Sequence, residues 1–262
     1  MELDTITYHV ADGVAHLRLN RPEGANAVSK AFAVDFRDIV REIEWDDAVR
    51  AVSVTAEGKV FCAGGDLKEF HAAGADLPKH GADLLTDFHA AIYKMHRMPK
   101  PFVAGVRGAA GGAGLSLMSA FDLAIAGEST KFTMAYTRAG MTPDGTSTYF
   151  ITRHIGVRRM LDLTLTNRVL TAAEAESWGL VNRVVPDDEV DDAAAALAQE
   201  LAAGAPYAVG MAKKVVYNGM DSPLEQGGEY EGVTITGAMA TADGQEGIAA
   251  FVEKRSPNFT GE

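Results

Sequence analysis

Two turns rich in small residues carry the chemistry that this sequence indicates most clearly. The first covers residues 61–66, with the letters FCAGGD, and the second covers residues 108–114, with the letters GAAGGAG. Turns so poor in side chains leave backbone N–H groups free to face a ligand, and a helix that follows adds the positive end of its dipole. Two such turns that meet at one carbonyl oxygen form an oxyanion hole, in which each donor stabilises the transition state by roughly 3 kcal/mol.

Other glycine-rich motifs do not fit these turns. Position 117 is Leu117, so Gly112 and Gly114 do not begin the G-x-G-x-x-G motif of dinucleotide-binding proteins. Neither turn is followed by Gly-Lys-Ser/Thr, which excludes a P-loop. The simplest alternative is that both turns are tight connections between a strand and a helix, and the residue pattern alone leaves that alternative open.

Asp144 is the carboxylate of greatest chemical interest in the chain. It stands in the segment 141–145, whose letters are MTPDG. Pro, Asp and Gly in succession are also typical of a β-turn, in which the aspartate makes local hydrogen bonds. These residues alone therefore allow either a catalytic carboxylate or an ordinary turn residue.

Other potentially reactive groups lack the partners that their chemistry requires. Residues 145–149, with the letters GTSTY, have Tyr149 where a nucleophile elbow needs its second glycine. Cys62 has no histidine marked as a partner, and a small buried thiol is its expected setting. No H-E-x-x-H motif is present, and we expect a solvated helix and loop, without a metal site, around the clustered histidines. These are His71, His80, His89 and His96.

Strands and helices alternate around these motifs, which predicts an α/β core over residues 1–200. A helical region over 201–262 is expected to cover that core or to pair with another subunit. Ser29 is the predicted N-cap of an amphipathic helix that reaches Trp45. The other predicted elements are a hairpin of strands 5–9 and 14–20, strands 49–56, 102–106 and 122–126, a short helix from Leu67, a polar loop at 74–81, and helices at about 82–97 and 113–120.

Composition narrows the classes of partner. The chain has 262 residues, of which 47% are hydrophobic, and 24 Lys and Arg against 36 Asp and Glu give a net charge of −12. That balance disfavours a nucleic-acid partner, which needs a basic face. A single cysteine rules out an internal disulfide and fits a reducing compartment. Since residues 1–4 lack signal-peptide character and Asp122 interrupts the apolar stretch 108–126, we expect a cytoplasmic protein without a membrane partner.

Nine short blocks occur in an order that spans nearly the whole chain. They are Arg21-Pro22, Asn26-Ala27, residues 61–67, 108–114, 121–124, 140–143, 171–175, 179–181 and 251–257. This order resembles the crotonase superfamily of enoyl-CoA hydratases and isomerases. The resemblance implies a spiral of ββα units with a C-terminal helical region used for trimerisation. It also implies acyl-CoA thioester substrates, with coenzyme A present as part of the substrate and no permanently bound cofactor.

The resemblance implies site residues at the positions of this chain that match the motifs of the family. It implies that the backbone N–H groups of Gly65 and Ala113 hold an enolate oxygen. Lys254 resembles a lysine that contacts a phosphate of CoA and often comes from a neighbouring subunit of a homotrimer or a dimer of trimers. The other positions implied in substrate or CoA binding are Ala27, Ala63, Gly64, Asp66, Leu67, Gly112, Ser116 and Tyr136.

Two departures from the family pattern bear on the reaction. Hydratases of this family use two glutamates, and the corresponding positions here are Ser116 and Tyr136. Neither side chain acts as a carboxylate acid or base at neutral pH. Family members with Pro-Asp at the positions of Pro143 and Asp144 resemble enoyl-CoA isomerases and related ring-epoxide isomerases. The resemblance implies that Asp144 of this chain would be the single acid/base of such a reaction. The alternatives are a hydratase that works through Asp144 and an ordered water, and an acyl-CoA-binding protein without catalysis.

Overall fold

A computed structural model describes residues 3–262 of the chain. The strands are β1 (Ile6–Ala11), β2 (Val14–Leu19), β3 (Ala51–Ala56), β4 (Phe102–Val106), β5 (Ala109–Gly111), β6 (Leu123–Gly127), β7 (Lys131–Thr133), β8 (Leu170–Thr171) and β9 (Arg183–Val185). The helices are α1 (Lys30–Trp45), α2 (Leu67–Ala73), α3 (Leu77–Arg97), α4 (Ala113–Ser119), α5 (Ser147–Ile155), α6 (Val157–Thr166), α7 (Ala172–Trp178), α8 (Val190–Ala202), α9 (Pro206–Asp221), α10 (Leu224–Ala240) and α11 (Ala242–Glu253).

The larger sheet has the strand order β1-β2-β3-β4-β6-β9. Strands β1 and β2 form the predicted hairpin, in which Asp12 and Gly13 have φ values of 49° and 81°, as the tight turn of a hairpin requires. The remaining pairs are parallel, and each of their crossovers contains a helix. The predicted α/β architecture is confirmed, and the predicted Ser29 cap of α1 accepts a hydrogen bond from the Phe32 N–H at 3.1 Å.

The central strands β3 and β4 of this sheet are buried on both faces. Ala51 and Val103 pack with α8 on one face, while their neighbours Val52 and Ala104 belong to the larger core on the other face. Phe61, in the first small-residue turn, is fully buried in that larger core. The core therefore fixes the backbone from which the candidate site is built.

A second sheet holds the other small-residue turn. Its strand order is β5-β7-β8, and β5 lies within the segment 108–114. Helix α4 follows directly, and all of its residues are buried. The second turn thus runs from a sheet into a helix that the core surrounds.

The prediction of a polar loop over residues 74–81 is wrong. Residues Gly74–Asp76 form a 3-10 turn, and α3 already begins at Leu77, with Pro78 in its first turn. Proline is favoured there because the first helical N–H groups have no partner to lose and the ring fixes a helical φ. The helix is therefore 21 residues long, and its first turns are available to line a site.

The helical C-terminal region is confirmed, and α8 is the helix that leads into it from the sheets. Helix α8 packs on β2, β3, β4 and β6, whereas α9, α10 and α11 follow beyond it. The predicted division after residue 200 falls in the last turn of α8, and as a domain boundary it stays a prediction. Across residues 3–262, every helix is too short or too polar to cross a membrane.

Candidate active site

The two small-residue turns lie side by side and are joined by backbone hydrogen bonds. The Cys62 N–H donates to the Ala109 carbonyl at 3.2 Å, and the Gly111 N–H donates to the Cys62 carbonyl at 3.0 Å. This is the pairing of two parallel strands, shortened to a single bridge between Cys62 and Ala110. Segments far apart in the sequence therefore approach each other as the oxyanion-hole interpretation requires.

Each turn has a backbone N–H without an acceptor at the position that the family resemblance implies. Val28 pairs with the first turn on its other side, since its N–H donates to the Gly64 carbonyl at 2.7 Å and its carbonyl accepts from Asp66 at 2.9 Å. The N–H of Gly65, between these two, points away from Val28 and has no acceptor within residues 3–262. Ala113 is the first residue of α4, and its N–H is likewise without an acceptor in that range.

The contact between the turns requires glycine at two positions. A Cβ atom at Gly114 would lie 2.2 Å from the carbonyl oxygen of Cys62. Gly64 has a φ of 127°, which L side chains rarely adopt, and a Cβ atom there would lie 3.1 Å from the Gly111 carbonyl oxygen. Any side chain at these positions would therefore push the two free donors apart.

Gly65 and Ala113 both line a cavity of about 680 Å³. A large part of the wall of this cavity comes from α2 and α3. That wall is apolar, with the side chains of Leu67, Phe70, Leu77, Leu84, Leu85 and Phe88. An apolar wall with a few convergent polar groups is typical of a small-molecule site.

Asp144 provides the carboxylate of this cavity, and no other acidic residue of the described chain lines it. Its side chain is 32% exposed, and its Oδ1 lies 3.2 Å from Nε2 of His89. Tyr136 donates a hydrogen bond from its hydroxyl to the Asp144 backbone carbonyl at 3.2 Å. The carboxylate is thus fixed at its backbone and exposed to the cavity at its oxygens.

Ser116 and Tyr136, the positions where the family resemblance implies the glutamates of hydratases, touch each other. The Ser116 hydroxyl lies 2.9 Å from the Tyr136 hydroxyl and 3.2 Å from the Gly112 carbonyl oxygen, so its single proton serves one of these two acceptors at a time. Burial raises the pKa of Tyr136 above its ordinary value of 10.0, and the hydrogen bond from Ser116 offsets only part of that effect. The pair is therefore neutral and cannot replace two carboxylates.

The structure gathers most of the predicted site residues around the cavity. Those that line it are Ala63, Gly64, Gly65, Leu67, Gly112, Ala113, Tyr136 and Asp144. Ser116 does not line it, because it is fully buried behind Tyr136. The prediction that Ser116 contacts substrate is therefore not supported by its position.

Three further predicted binding residues lie outside the cavity lining. Asp66 caps α2 by accepting from the N–H groups of Lys68 and Glu69, both at 3.1 Å, and it pairs with Arg21. Burial opposes ionisation, but the Arg21 and backbone hydrogen bonds outweigh it and lower the pKa of Asp66. This carboxylate is thus engaged in holding the first turn. Ala27 is buried beside that turn, and Lys254 is exposed at the end of α11.

Comparison with known proteins decides the family. A sequence model described as enoyl-CoA hydratase/isomerase matches residues 9–262. The chain belongs to the enoyl-CoA hydratase/isomerase family of the crotonase superfamily. It is 33% identical to a 1,2-epoxyphenylacetyl-CoA isomerase of Escherichia coli K12, over 99% of this chain and 100% of that protein. It is 37% identical to a Mycobacterium bovis protein named probable enoyl-CoA hydratase, over 99% of each chain.

The fold agrees with this membership of the crotonase superfamily. The crystal structure of an enoyl-CoA hydratase from Bacillus anthracis superimposes with a TM-score of 0.93 at 33% identity, and covers 99% of this chain and 100% of that one. The relatives include both an isomerase and hydratases. Membership of the enoyl-CoA hydratase/isomerase family therefore leaves the particular reaction to the residues of the site.

Sequence reasoning missed His89, which approaches the carboxylate from α3. The available signal was the helical spacing of Ala82, Leu85 and His89, at i, i+3 and i+7, which places them on one face. The first two of these line the cavity. The predicted helix at about 82–97 contains this face, but the packing that brings it to Asp144 is a tertiary contact without a local signal.

The other potentially reactive side chains, Cys62 and Ser147, are buried in the core. Cys62 is fully buried, and burial raises the pKa of its thiol to about 12, so the sulfur is not a thiolate nucleophile at neutral pH. Ser147 is fully buried at the start of α5. Among residues 3–262, no three or more His, Cys, Asp and Glu side chains are grouped so that they could hold a metal ion.

Proposed function

We propose that the protein is an acyl-CoA isomerase that moves a carbon–carbon double bond, with Asp144 as its single acid/base. The observation that supports this most is the cavity itself, which combines two free N–H donors with one carboxylate. A double-bond shift needs one group to remove a proton and to return it, and needs donors for the negative charge that develops on oxygen. The site offers that set of groups.

The reaction runs through a dienolate. The Asp144 carboxylate takes a proton from C2 of a 3-enoyl-CoA, and the electrons of that C–H bond move to the thioester oxygen. The N–H groups of Gly65 and Ala113 stabilise the resulting oxyanion. The Asp144 carboxyl then returns the proton to C4, which places the double bond between C2 and C3. The same enolate chemistry serves the opening or rearrangement of a ring next to a thioester.

The neutral pair of Ser116 and Tyr136 favours isomerisation over hydration. Hydration needs one group to activate water and another to manage the proton at C2. With one carboxylate in the cavity, the second of these roles has no acidic side chain to fill it. The apolar wall of α2 and α3, with the rings of Phe70 and Phe88, supports an apolar or aromatic acyl group.

The replacement Asp144→Asn tests this proposal. The amide cannot accept the proton, so we expect kcat for 3-enoyl-CoA isomerisation to fall by about 10³-fold. The Kd for a CoA ester should stay within a few-fold, because the donors and the apolar wall are unchanged. Asp83→Asn is the matched control, since Asp83 lies on α3 with its side chain exposed and outside the cavity.

Two assays on the wild-type protein separate the alternatives. Isomerisation of a 3-enoyl-CoA should exceed hydration of crotonyl-CoA, and the reverse ratio would support a hydratase that uses Asp144 and a water. Exchange of the C2 proton in D₂O reports enolate formation without presuming a product. Tight binding of CoA esters without any exchange would show an acyl-CoA-binding protein and refute the enzymatic assignment.

A further inference from the structure

His89 lies between the active-site cavity and a second depression on the outside of α3. The outer groove has a volume of about 460 Å³ and is lined by Ala82, Leu85, Thr86, His89, Ala90 and Tyr93. Ala82 and Leu85 line both spaces, so a single layer of α3 side chains separates them. His89 lines the outer groove, while the carboxylate that it approaches lines the inner cavity.

The histidine ring is oriented toward that carboxylate. Its Nε2 is buried and lies 3.2 Å from Oδ1 of Asp144, while the side chain as a whole is 26% exposed. The N–H direction is not aligned for a hydrogen bond in this structure, and Nε2 has no other partner within residues 3–262. Since the terminal torsion of an aspartate is broad, a small rotation of the carboxylate completes the bond.

We propose that His89 positions the Asp144 carboxylate and also relays protons between that carboxylate and solvent. This inference rests on the proposed isomerase function. Contact at Oδ1 leaves the other carboxylate oxygen to exchange protons with substrate. The ring also connects the carboxyl in the inner cavity to the outer groove. In the relay, the protonated carboxyl turns its O–H toward Nε2, and the neutral ring accepts that proton at Nε2 while Nδ1 releases its own proton to water in the groove. The reverse steps return a solvent proton to the carboxylate, so charge and atoms balance over the cycle.

This relay has a consequence that a purely structural histidine lacks. A proton that Asp144 has taken from C2 either moves to C4 or exchanges with a solvent proton during the lifetime of the dienolate. Without the relay, the hydrogen taken from C2 is transferred to C4 within the enzyme. With the relay, a product formed in D₂O carries solvent deuterium at C4.

The test measures deuterium at C4 of the 2-enoyl-CoA product by mass spectrometry during single turnovers in D₂O. We expect the wild-type product to carry deuterium at C4. We expect His89→Gln to reduce the deuterated fraction by about tenfold, because the glutamine amide, unlike imidazole, cannot accept a proton at one nitrogen and release one from another. Thr86→Ala, which changes the same groove without contact to Asp144, should match the wild type. Binding of a CoA ester and circular dichroism establish that each variant is folded.

Chemical rescue gives a second, independent measurement. His89→Ala opens a space between the outer groove and Asp144, and added imidazole should restore the deuterium fraction. The proposal is overturned if His89→Gln incorporates as much deuterium as the wild type, or if imidazole has no effect on His89→Ala. A wild-type protein that neither isomerises nor exchanges C2 protons would instead refute the proposed function, so the two failures are distinguishable.

Discussion

Asp144 depends on two neighbours that approach it from different parts of the chain. His89 meets its carboxylate at 3.2 Å, and the hydroxyl of Tyr136 holds its backbone carbonyl at the same distance. Tyr136 is itself held by the buried hydroxyl of Ser116. A hydroxyl at position 136, where the family resemblance implies a glutamate in hydratases, thus supports Asp144, the proposed acid/base.

The replacement Tyr136→Phe should separate this support from the chemistry. Loss of one buried hydrogen bond is expected to lower the free energy of unfolding by about 1 kcal/mol. Because the Asp144 backbone loses its donor, kcat should fall by about tenfold while KM changes little. Steady-state kinetics and urea unfolding measure both effects. Ser116→Ala is the control, because it removes the partner of Tyr136 and leaves the Asp144 contact in place. An equal loss of kcat in both variants would contradict the role given to Tyr136.

Local residue patterns identified part of this site. Gly65, Ala113 and Asp144 stand in short segments whose composition and order are visible in the sequence, and all three line the cavity. The contact between His89 and Asp144 was not visible, because it depends on how α3 packs against the loop of Asp144. Ser116 was placed in the binding site by its position in the family pattern, whereas its contacts are with Gly112 and Tyr136.

At the scale of elements, the site is the junction of two strand-to-turn-to-helix units. Short runs rich in β-branched residues predicted the strands that lead into it, and the structure confirms both strands, β3 and β4. The start of α3 was predicted wrongly because the glycine, histidine and lysine of residues 74–81 have the composition of a loop. Pro78 was the local signal for a helix start.

The replacement Gly114→Ala tests the contact between the two turns. Its methyl group would lie 2.2 Å from the Cys62 carbonyl oxygen, which is backbone and cannot rotate away. We expect a loss of about 3 kcal/mol in the free energy of unfolding, and a fall in kcat as the Gly65 and Ala113 donors separate. Gly219→Ala on α9 meets no atom within 4 Å and should be neutral or stabilising by up to about 1 kcal/mol. Equal stability of the two variants in urea unfolding would contradict the packing of the turns.

At the scale of the whole molecule, the C-terminal helices expose more apolar surface than an isolated chain normally tolerates. The residues Leu224 and Phe251 are 85% and 87% exposed, and several other large apolar side chains on α9, α10 and α11 are also exposed. Such surface favours contact with another protein surface. We propose that it is buried between copies of this chain, as the expected trimer requires, and that Lys254 at the end of α11 completes the site of a neighbouring subunit.

Mixed oligomers test that arrangement directly. Lys254 has a φ of 57°, so Lys254→Asn removes the charge and keeps a residue that tolerates this backbone. Loss of a phosphate contact should raise KM for CoA esters by about tenfold. In a cyclic trimer that contains both Lys254→Asn and Asp144→Asn chains, one site combines an intact Asp144 with a neighbour's intact Lys254. Co-expressed, doubly tagged oligomers should therefore recover about one third of wild-type activity at low substrate, whereas a mixture of separately purified variants should not. If Lys254 served its own chain, the mixed oligomers would show no recovery, and a monomeric wild-type protein in light scattering would refute the assembly itself.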